Sequence, residues 1–478
     1  MNYKVISYTL GWALNIEAAC MVLPLICSLV LGEPYVLTFG MCILICLIIG
    51  CPLVIKQPKN KGIFAKEGLV IVALSWIFIS IIGALPFVFS GTVPNFIDAL
   101  FETASGFTTT GASILTDVDI MPKSLLFWRS FTHWIGGMGV IVFLVAILPL
   151  SGSNNLHLIR AESPGPSVGK LVPKVKTTAK ILYQIYISLT ALEIVFLLLG
   201  GLDVFEALTL SFGTAGTGGF AIRNSGLAEY TPYVQNVITV FMIIFGVDFS
   251  FYYLLLIRKF RSAIKMEEVK TYFVIIICSI LLIFFNIQSM YNSAADALKD
   301  SAFQVGSIIT TTGYSTCDFN LWPSFAKTLL VGLMFIGACA GSTGGGIKVS
   351  RIIIFFKSIA KEIKILVHPG TSVKVTLNGK AIEHETLRGI NVFFAAYIAV
   401  FTVSLLVISL DNFDFTTNFT AVAATLSNIG PGLSKVGPAA NFSIYSPVSK
   451  LVLTFAMIAG RLEIFPMFAL FSKSAWKK

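Results

Sequence analysis

Charge is what this chain has least of. Only 12% of its 478 residues are charged, against 56% that are hydrophobic. Soluble chains carry roughly twice that charged fraction. No Cys-x-x-Cys pair occurs among the eight cysteines, and Cys20, Cys27, Cys42, Cys46, Cys278 and Cys339 lie inside apolar runs. Neither a zinc site nor a disulfide framework is indicated. The four histidines, at 133, 157, 368 and 384, are scattered, and no His–carboxylate or nucleophile cluster supports an enzyme. There is no Walker loop and no dinucleotide fingerprint, so the chain itself has no nucleotide site and no organic cofactor. The first 30 residues hold one Lys and no small-residue cleavage site, and read as a retained membrane segment.

Long apolar runs are what is there. Stretches of about 18 or more apolar residues with few charges read as membrane helices, and mean hydropathy is +0.85. The chain is therefore an all-α polytopic membrane protein in contact with lipid. Its net charge of +10 is unevenly placed: 26 of 34 Lys and Arg fall in the first residues and at 56–66, 160–180, 258–270, 348–388 and 473–478. By the positive-inside rule these stretches are cytoplasmic. They report orientation rather than a nucleic-acid partner. Two helices come first, near 6–31 and 36–55. A unit then recurs four times: a long apolar segment, a shorter one of about 12 residues leading into a polar Gly-containing loop, and another long segment. The outer segments lie near 68–90 and 125–150, 180–200 and 232–257, 271–289 and 325–366, 389–410 and 447–472. Ten spans place both termini on one side, and the charge pattern makes that side the cytoplasm. The divisions are 1–60, 61–155, 156–260, 261–370 and 371–478.

The short segments align as "DALFETASGFTTTGAS" (98–113), "EALTLSFGTAGTGGFA" (206–221), "DSAFQVGSIITTTGYS" (300–315) and "TNFTAVAATLSNIGPG" (417–432). They begin near Asp98, Glu206, Asp300 and Thr417, and Gly111, Gly219, Gly313 and Gly430 share one column. Non-helical backbone at membrane depth must be buried in protein or line a water-filled cavity. Four copies suggest pseudo-fourfold symmetry about one pore. A helix C-terminus favours a cation, and Gly permits the positive φ that turns carbonyls to an axis. Rings of carbonyls replace the hydration shell of K⁺, and "TTGYS" at 311–315 resembles the potassium-channel loop Thr-Val-Gly-Tyr-Gly. Thr108 and Thr310 are expected only to support their loops.

"ETASGFTTTGAS", "GTAGTGGFA", "TTTGYST", "LSNIGPGL", "GACAGSTGGGIK" and "AGRLEIFP" together resemble the Trk/Ktr/HKT superfamily of potassium transporters over essentially the whole chain. The two leading helices look like its Trk branch. The resemblance implies gated, channel-like K⁺ uptake across the cytoplasmic membrane. It implies a filter of Thr109, Thr110, Gly111 and Ala112; Thr217, Gly218, Gly219 and Phe220; Thr311, Thr312, Gly313 and Tyr314; and Asn428, Ile429, Gly430 and Pro431. Glycine in all four columns implies K⁺ rather than the Na⁺ preference that Ser in the first column accompanies in the plant branch. A homodimer with one pore per protomer and a cytosolic nucleotide-binding ring responding to NAD(H) or ATP/ADP are implied as well. Asp248 departs from the pattern; an acid there either favours cations or is neutralised by a neighbour. The alternative function is H⁺- or Na⁺-coupled secondary transport of K⁺ or Na⁺, for which Asp248 and Glu463 are the candidate membrane acids.

The segment 325–366 would reach roughly 60 Å as one helix, about twice the hydrocarbon core. Its glycine run predicts a break, which by itself fits a hinge or a packing face. The resemblance implies a pore-blocking loop of Gly337, Ala338, Gly341, Ser342, Thr343, Gly344, Gly345 and Gly346, with Lys348 at the cytoplasmic exit. Arg461 is costly at membrane depth. Pairing with Glu463 is disfavoured because residues two apart face different ways, so Arg461 is expected to donate to carbonyls of the Gly-rich loop. Within 361–388, Asn378-Gly379 signals a hairpin turn and a docking point beside the gate helix.

Overall fold

A computed structural model describes residues 1–55, 57–58, 63–139 and 175–476. The end of the predicted segment 125–150, most of the basic stretch 160–180 and the boundary at 155 lie outside them. Helices Tyr3–Val30 and Val36–Ile55 form an antiparallel pair. Gly11 and Gly50 lie against each other, so close that a Cβ on Gly11 would stand 2.8 Å from the Gly50 carbonyl. Small residues permit this approach where lipid supplies no hydrophobic drive for association.

Among the described residues, six helices are long and apolar enough to cross a membrane: the leading pair, Ala65–Phe89, Thr177–Leu199, Glu267–Met290 and His384–Asp411. Leu37, Ile48, Val274, Phe285, Ile398 and Leu406 stay exposed on them, as lipid-facing side chains do. All four predicted first outer segments are present. The second outer segments of the second and fourth units depart from the expectation of one span each, whereas the break within 325–366 is the one the glycine run predicts. Pro232–Phe245 bends by 89° into Phe249–Leu256. Ser324–Ile336 stops twelve residues short of Val349–Val367. Pro447–Arg461 breaks before Phe465–Phe471. Lys123–Gly137 ends just before the described residues do.

Between outer segments sit four short helices: Phe96–Phe107, Val204–Gly216, Ala294–Ile309 and Phe415–Leu426. Asn95, Asp203, Ser293 and Asp414 cap their N-termini, each accepting an N–H of the first turn. The third begins at Ala294, not near Asp300. "AADALKD" is a good helix former that extends it N-terminally, and Asp300 is buried mid-helix, accepting from Thr316 Oγ1 at 3.1 Å. Both ends of the chain lie together, with Tyr3 Oη donating to the Trp476 carbonyl at 3.4 Å.

The hairpin forms as expected. Thr376–Leu377 pairs antiparallel with Lys380–Ala381, and Asn378 and Gly379 take φ of 52° and 76°, the both-positive pattern of a type I′ turn. Lys357 of helix Val349–Val367 donates to the Thr376 carbonyl at 2.9 Å. The Asn378 amide oxygen caps Glu267 N–H at 2.7 Å.

Candidate functional site

All four short helices end in the same way. Thr109, Thr217, Thr311 and Asn428 hold left-handed φ of 55°, 54°, 59° and 57°. Their N–H groups, and those of Thr110, Gly218, Thr312 and Ile429, turn back to the last carbonyls of the helix. The second set, to Ser105, Gly213, Ser307 and Ala424, measures 2.8 Å in every case. This is the Schellman arrangement, with a β-branched Thr three times in the position usually given to Gly. Left-handed Thr is a genuine outlier and marks stored strain of the kind that clusters at functional sites. Two residues later Gly111, Gly219, Gly313 and Gly430 are again left-handed, at 77°, 74°, 86° and 103°. Alternating left-handed with ordinary residues lines successive carbonyls along one side of each loop.

The loops close on one another in chain order. The Cα of Gly111 faces the Gly218 carbonyl, Gly219 faces that of Thr312, Gly313 that of Ile429, and Gly430 those of Thr110 and Gly111. No side chain fits in any of these gaps. All four glycines line one cavity of about 300 Å³. Thr108, Thr110, Thr310 and Thr312 are buried. Thr108 Oγ1 donates to the Ala104 carbonyl and meets Thr110 Oγ1 at 2.8 Å; Thr310 does the same with Gly306 and Thr312. Thr108 and Thr310 therefore support their loops, as expected. Asn428 Nδ2 reaches Thr110 Oγ1 and the Met457 carbonyl, both at 2.9 Å. Ala112, Phe220, Tyr314 and Pro431 follow the glycines and line the same cavity.

Residues the sequence reading passed over hold the first two loops. Glu102 meets Arg129 Nε at 2.6 Å, both fully buried, and accepts Ile114 N–H at 2.9 Å. Arg129 also donates to the Ala221 carbonyl and stacks 3.5 Å from Phe220. His133 bridges the Gly106 carbonyl and Phe220 N–H. The signal for Arg129 was the same as for Arg461: a guanidinium inside an apolar segment. At the mouth Arg223 meets Glu206 at 2.5 Å. Its hydrogen bond to that carboxylate raises the pKa of the guanidinium above its ordinary value.

The glycine-rich loop spans the break between Ile336 and Val349, with Gly337, Gly341, Gly346 and Lys348 all at positive φ. Ala338 and Val349 close its neck by a 3.1 Å bond. It fills the bend of helix Pro232–Leu256: Cys339 N–H donates to the Gly246 carbonyl, and Phe249 N–H to the Gly341 carbonyl, both at 3.0 Å. Each break thus satisfies backbone groups that the other leaves open, which an apolar surround requires. On its inner side Gly345 N–H donates to Thr311 Oγ1 at 2.6 Å. Ser342 Oγ donates to the Cys339 carbonyl, and Lys348 Nζ donates to the carbonyl of Gly344.

Arg461 Nη1 donates to the Thr343 carbonyl at 2.7 Å, as expected. Its Nη2 also takes the carbonyls of Gly136 and Gly137 at 2.5 and 2.8 Å. It joins the loop to the helix end of the first repeat. Glu463 pairs with Arg351 instead. Asp248 caps helix Phe249–Leu256 through Ser250 N–H at 2.8 Å and abuts Gly341. Glu268, also unforeseen, accepts the N–H groups of Ala340 and Ser350 at 2.7 and 2.9 Å, one at each end of the loop.

Comparison with known proteins agrees with this architecture. The family model TrkH, "Cation transport protein", matches residues 37–478. The Trk system potassium uptake protein TrkH of Escherichia coli (strain K12) is 37% identical over 489 residues, covering all of both chains. TrkG of the same strain is 32% identical, covering all of this chain and 99% of its own. The crystal structure of the potassium transporter TrkH from Vibrio parahaemolyticus superposes with a TM-score of 0.89 at 32% identity, over the whole of both chains. The chain belongs to the TrkH family of cation transport proteins.

Proposed function

We propose that this protein takes up K⁺ across the cytoplasmic membrane through a filter formed by the four loops about a pseudo-fourfold axis. The supporting observation is the repeated backbone: a left-handed residue at each helix C-terminus, a left-handed Gly two residues on, and closure of the four loops into a ring. Four helix C-termini bring their negative dipole ends to the ring, which favours a cation there. Carbonyls of the Thr-Thr-Gly, Thr-Gly-Gly and Asn-Ile-Gly strands replace its hydration shell. The loop 337–348 obstructs the path below, held by Thr311, Lys348 and Arg461. The basic stretches face the cytoplasm, with both termini there. The working form is a homodimer whose cytosolic nucleotide-binding ring docks at the hairpin 376–381 and works on the gate through helix Val349–Val367, to which the hairpin is bonded.

The test is flux of purified protein in liposomes. Gly111→Ser and Gly313→Ser should each lower K⁺ preference over Na⁺. A Cβ there meets a neighbouring carbonyl, and the positive φ becomes strained. Unchanged permeability ratios in both would overturn the filter assignment. The same vesicles with an imposed proton or Na⁺ gradient separate passive conduction from coupled uptake: concentrative K⁺ uptake that needs the gradient supports the coupled reading.

A further inference from the structure

Glu268 holds both ends of the glycine-rich loop with one oxygen. Its buried Oε1 accepts the N–H of Ala340 at 2.7 Å and that of Ser350 at 2.9 Å. The two donors stand beside the bond between Ala338 and Val349 that closes the neck of the loop. One oxygen reaches both only while the two ends lie side by side. Opening the neck must break at least one of these bonds and leave an N–H without a partner in an apolar surround. Val269 and Tyr272, on the same helix as Glu268, lie in one buried cluster with Cys339 and Val349. This part of the helix and the neck of the loop are therefore packed together.

The hairpin holds the same helix start from another side. Helix Glu267–Ile287 has Met266 at its N-cap, a residue with no side-chain oxygen to accept a first-turn N–H. Asn378, from the turn of the hairpin, supplies the missing acceptor to Glu267 N–H at 2.7 Å. Glu267 Oε2 accepts from Lys357 Nζ at 2.7 Å, and Lys357 also donates to the Thr376 carbonyl at 2.9 Å. Two successive residues thus serve two elements: Glu267 is bonded to the hairpin and Glu268 to the loop.

We propose that Glu268 is a positioning residue for the gate, clipping the neck of the loop, and that the first turn of helix Glu267–Ile287 carries the position of the hairpin to it. Helix Val349–Val367 continues from one end of the loop only, whereas Glu268 binds both ends. Withdrawal of Asn378 frees the first N–H of the helix, one residue from the clip. The inference rests on the gate reading of the loop 337–348.

The test is K⁺ flux and K⁺/Na⁺ permeability ratio of the full-length protein in liposomes. Glu268→Ala removes the shared acceptor, so basal K⁺ flux should rise about fivefold or more, the lower end of ordinary coupling between sites, with the ratio unchanged. Glu268→Gln keeps an oxygen at the same reach that can accept both N–H groups, so flux should return to the parent's. Glu268→Asp keeps the carboxyl but draws it back by one methylene, so it should behave as Ala does. Asn378→Gly keeps the turn and removes the cap. It should raise flux by a smaller factor, and add nothing in the Glu268→Ala background, because both act through one turn. Parent-like flux in the Ala and Asp forms overturns the proposal, as does a Gln form that leaks like Ala. Full multiplication of the two effects in the double variant overturns the route from the hairpin. Should Glu268→Ala fail to fold, the Asp and Gln forms still decide. Deletion of residues 342–344 measured alongside separates the two readings. If it raises flux while the Glu268 variants do not, only the role of Glu268 fails; if it does not raise flux, the gate reading itself fails.

Discussion

Arg129 is a buried guanidinium and Arg461 a half-buried one, and they do different work. Arg461 donates to carbonyls that broken helices leave open, on two separate elements. Each charge-assisted bond is of the class that contributes roughly 1.5–3 kcal/mol. Arg461→Ala should release the loop and remove a positive barrier below the filter, so basal K⁺ flux should rise. Arg461→Lys should fall between, since an ammonium keeps the charge but loses the planar fork. Identical flux in parent, Ala and Lys forms would assign it to the surface instead. Arg129 is half of an ion pair with Glu102. Removing one partner strands a buried charge, which costs about 3–5 kcal/mol. Arg129→Ala should therefore show as a lowered midpoint in a thermal melt, and double replacement by apolar residues should recover part of it. Arg461 was legible from the sequence because no opposite charge stands at i±3 or i±4. Its acceptor Thr343 was legible too, as part of the glycine run. Gly136 and Gly137 were not, because they lie more than 300 residues away in sequence.

Among the elements, the broken second outer helices carry the most information. Glycine content foretold the break after Ile336. The local signal for the break after Arg461 is Pro466, in the first turn of the next helix, and between them Glu463 and Ile464 take φ of 54° and 71°. Two residues with side chains adopt that conformation because Leu462 and Ile464 are fully buried there and packing outweighs the local preference. Deleting residues 342–344, which leaves Gly345 and its bond to Thr311 in place, should raise K⁺ flux with the K⁺/Na⁺ ratio unchanged. The check is paired flux and reversal-potential measurement. Lower flux from well-folded deletion protein would leave the loop a hinge. The bond from Gly345 to Thr311 ties the loop to the third filter strand, so a deletion that removes Gly345 as well should disturb selectivity more.

For the whole molecule, orientation is the testable quantity. The contact between Tyr3 and Trp476 puts residues 3 and 476 on one face, and the proposed orientation has that face cytoplasmic. Epitope tags at either end should be cut by protease in inside-out vesicles and protected in right-side-out ones. Opposite accessibility of the two tags would contradict the fold. The sequence by itself determined the helical membrane class, the four short helices that end in polar loops, and the column of glycines. Those follow from hydropathy and from φ restrictions, and both are properties of local residues. Only the tertiary structure decided that left-handed Thr and Asn precede the glycines, that loop neighbours are successive repeats, and that each helix break is satisfied by another. Backbone groups freed in an apolar surround must find partners, and which partners they find depends on segments hundreds of residues apart.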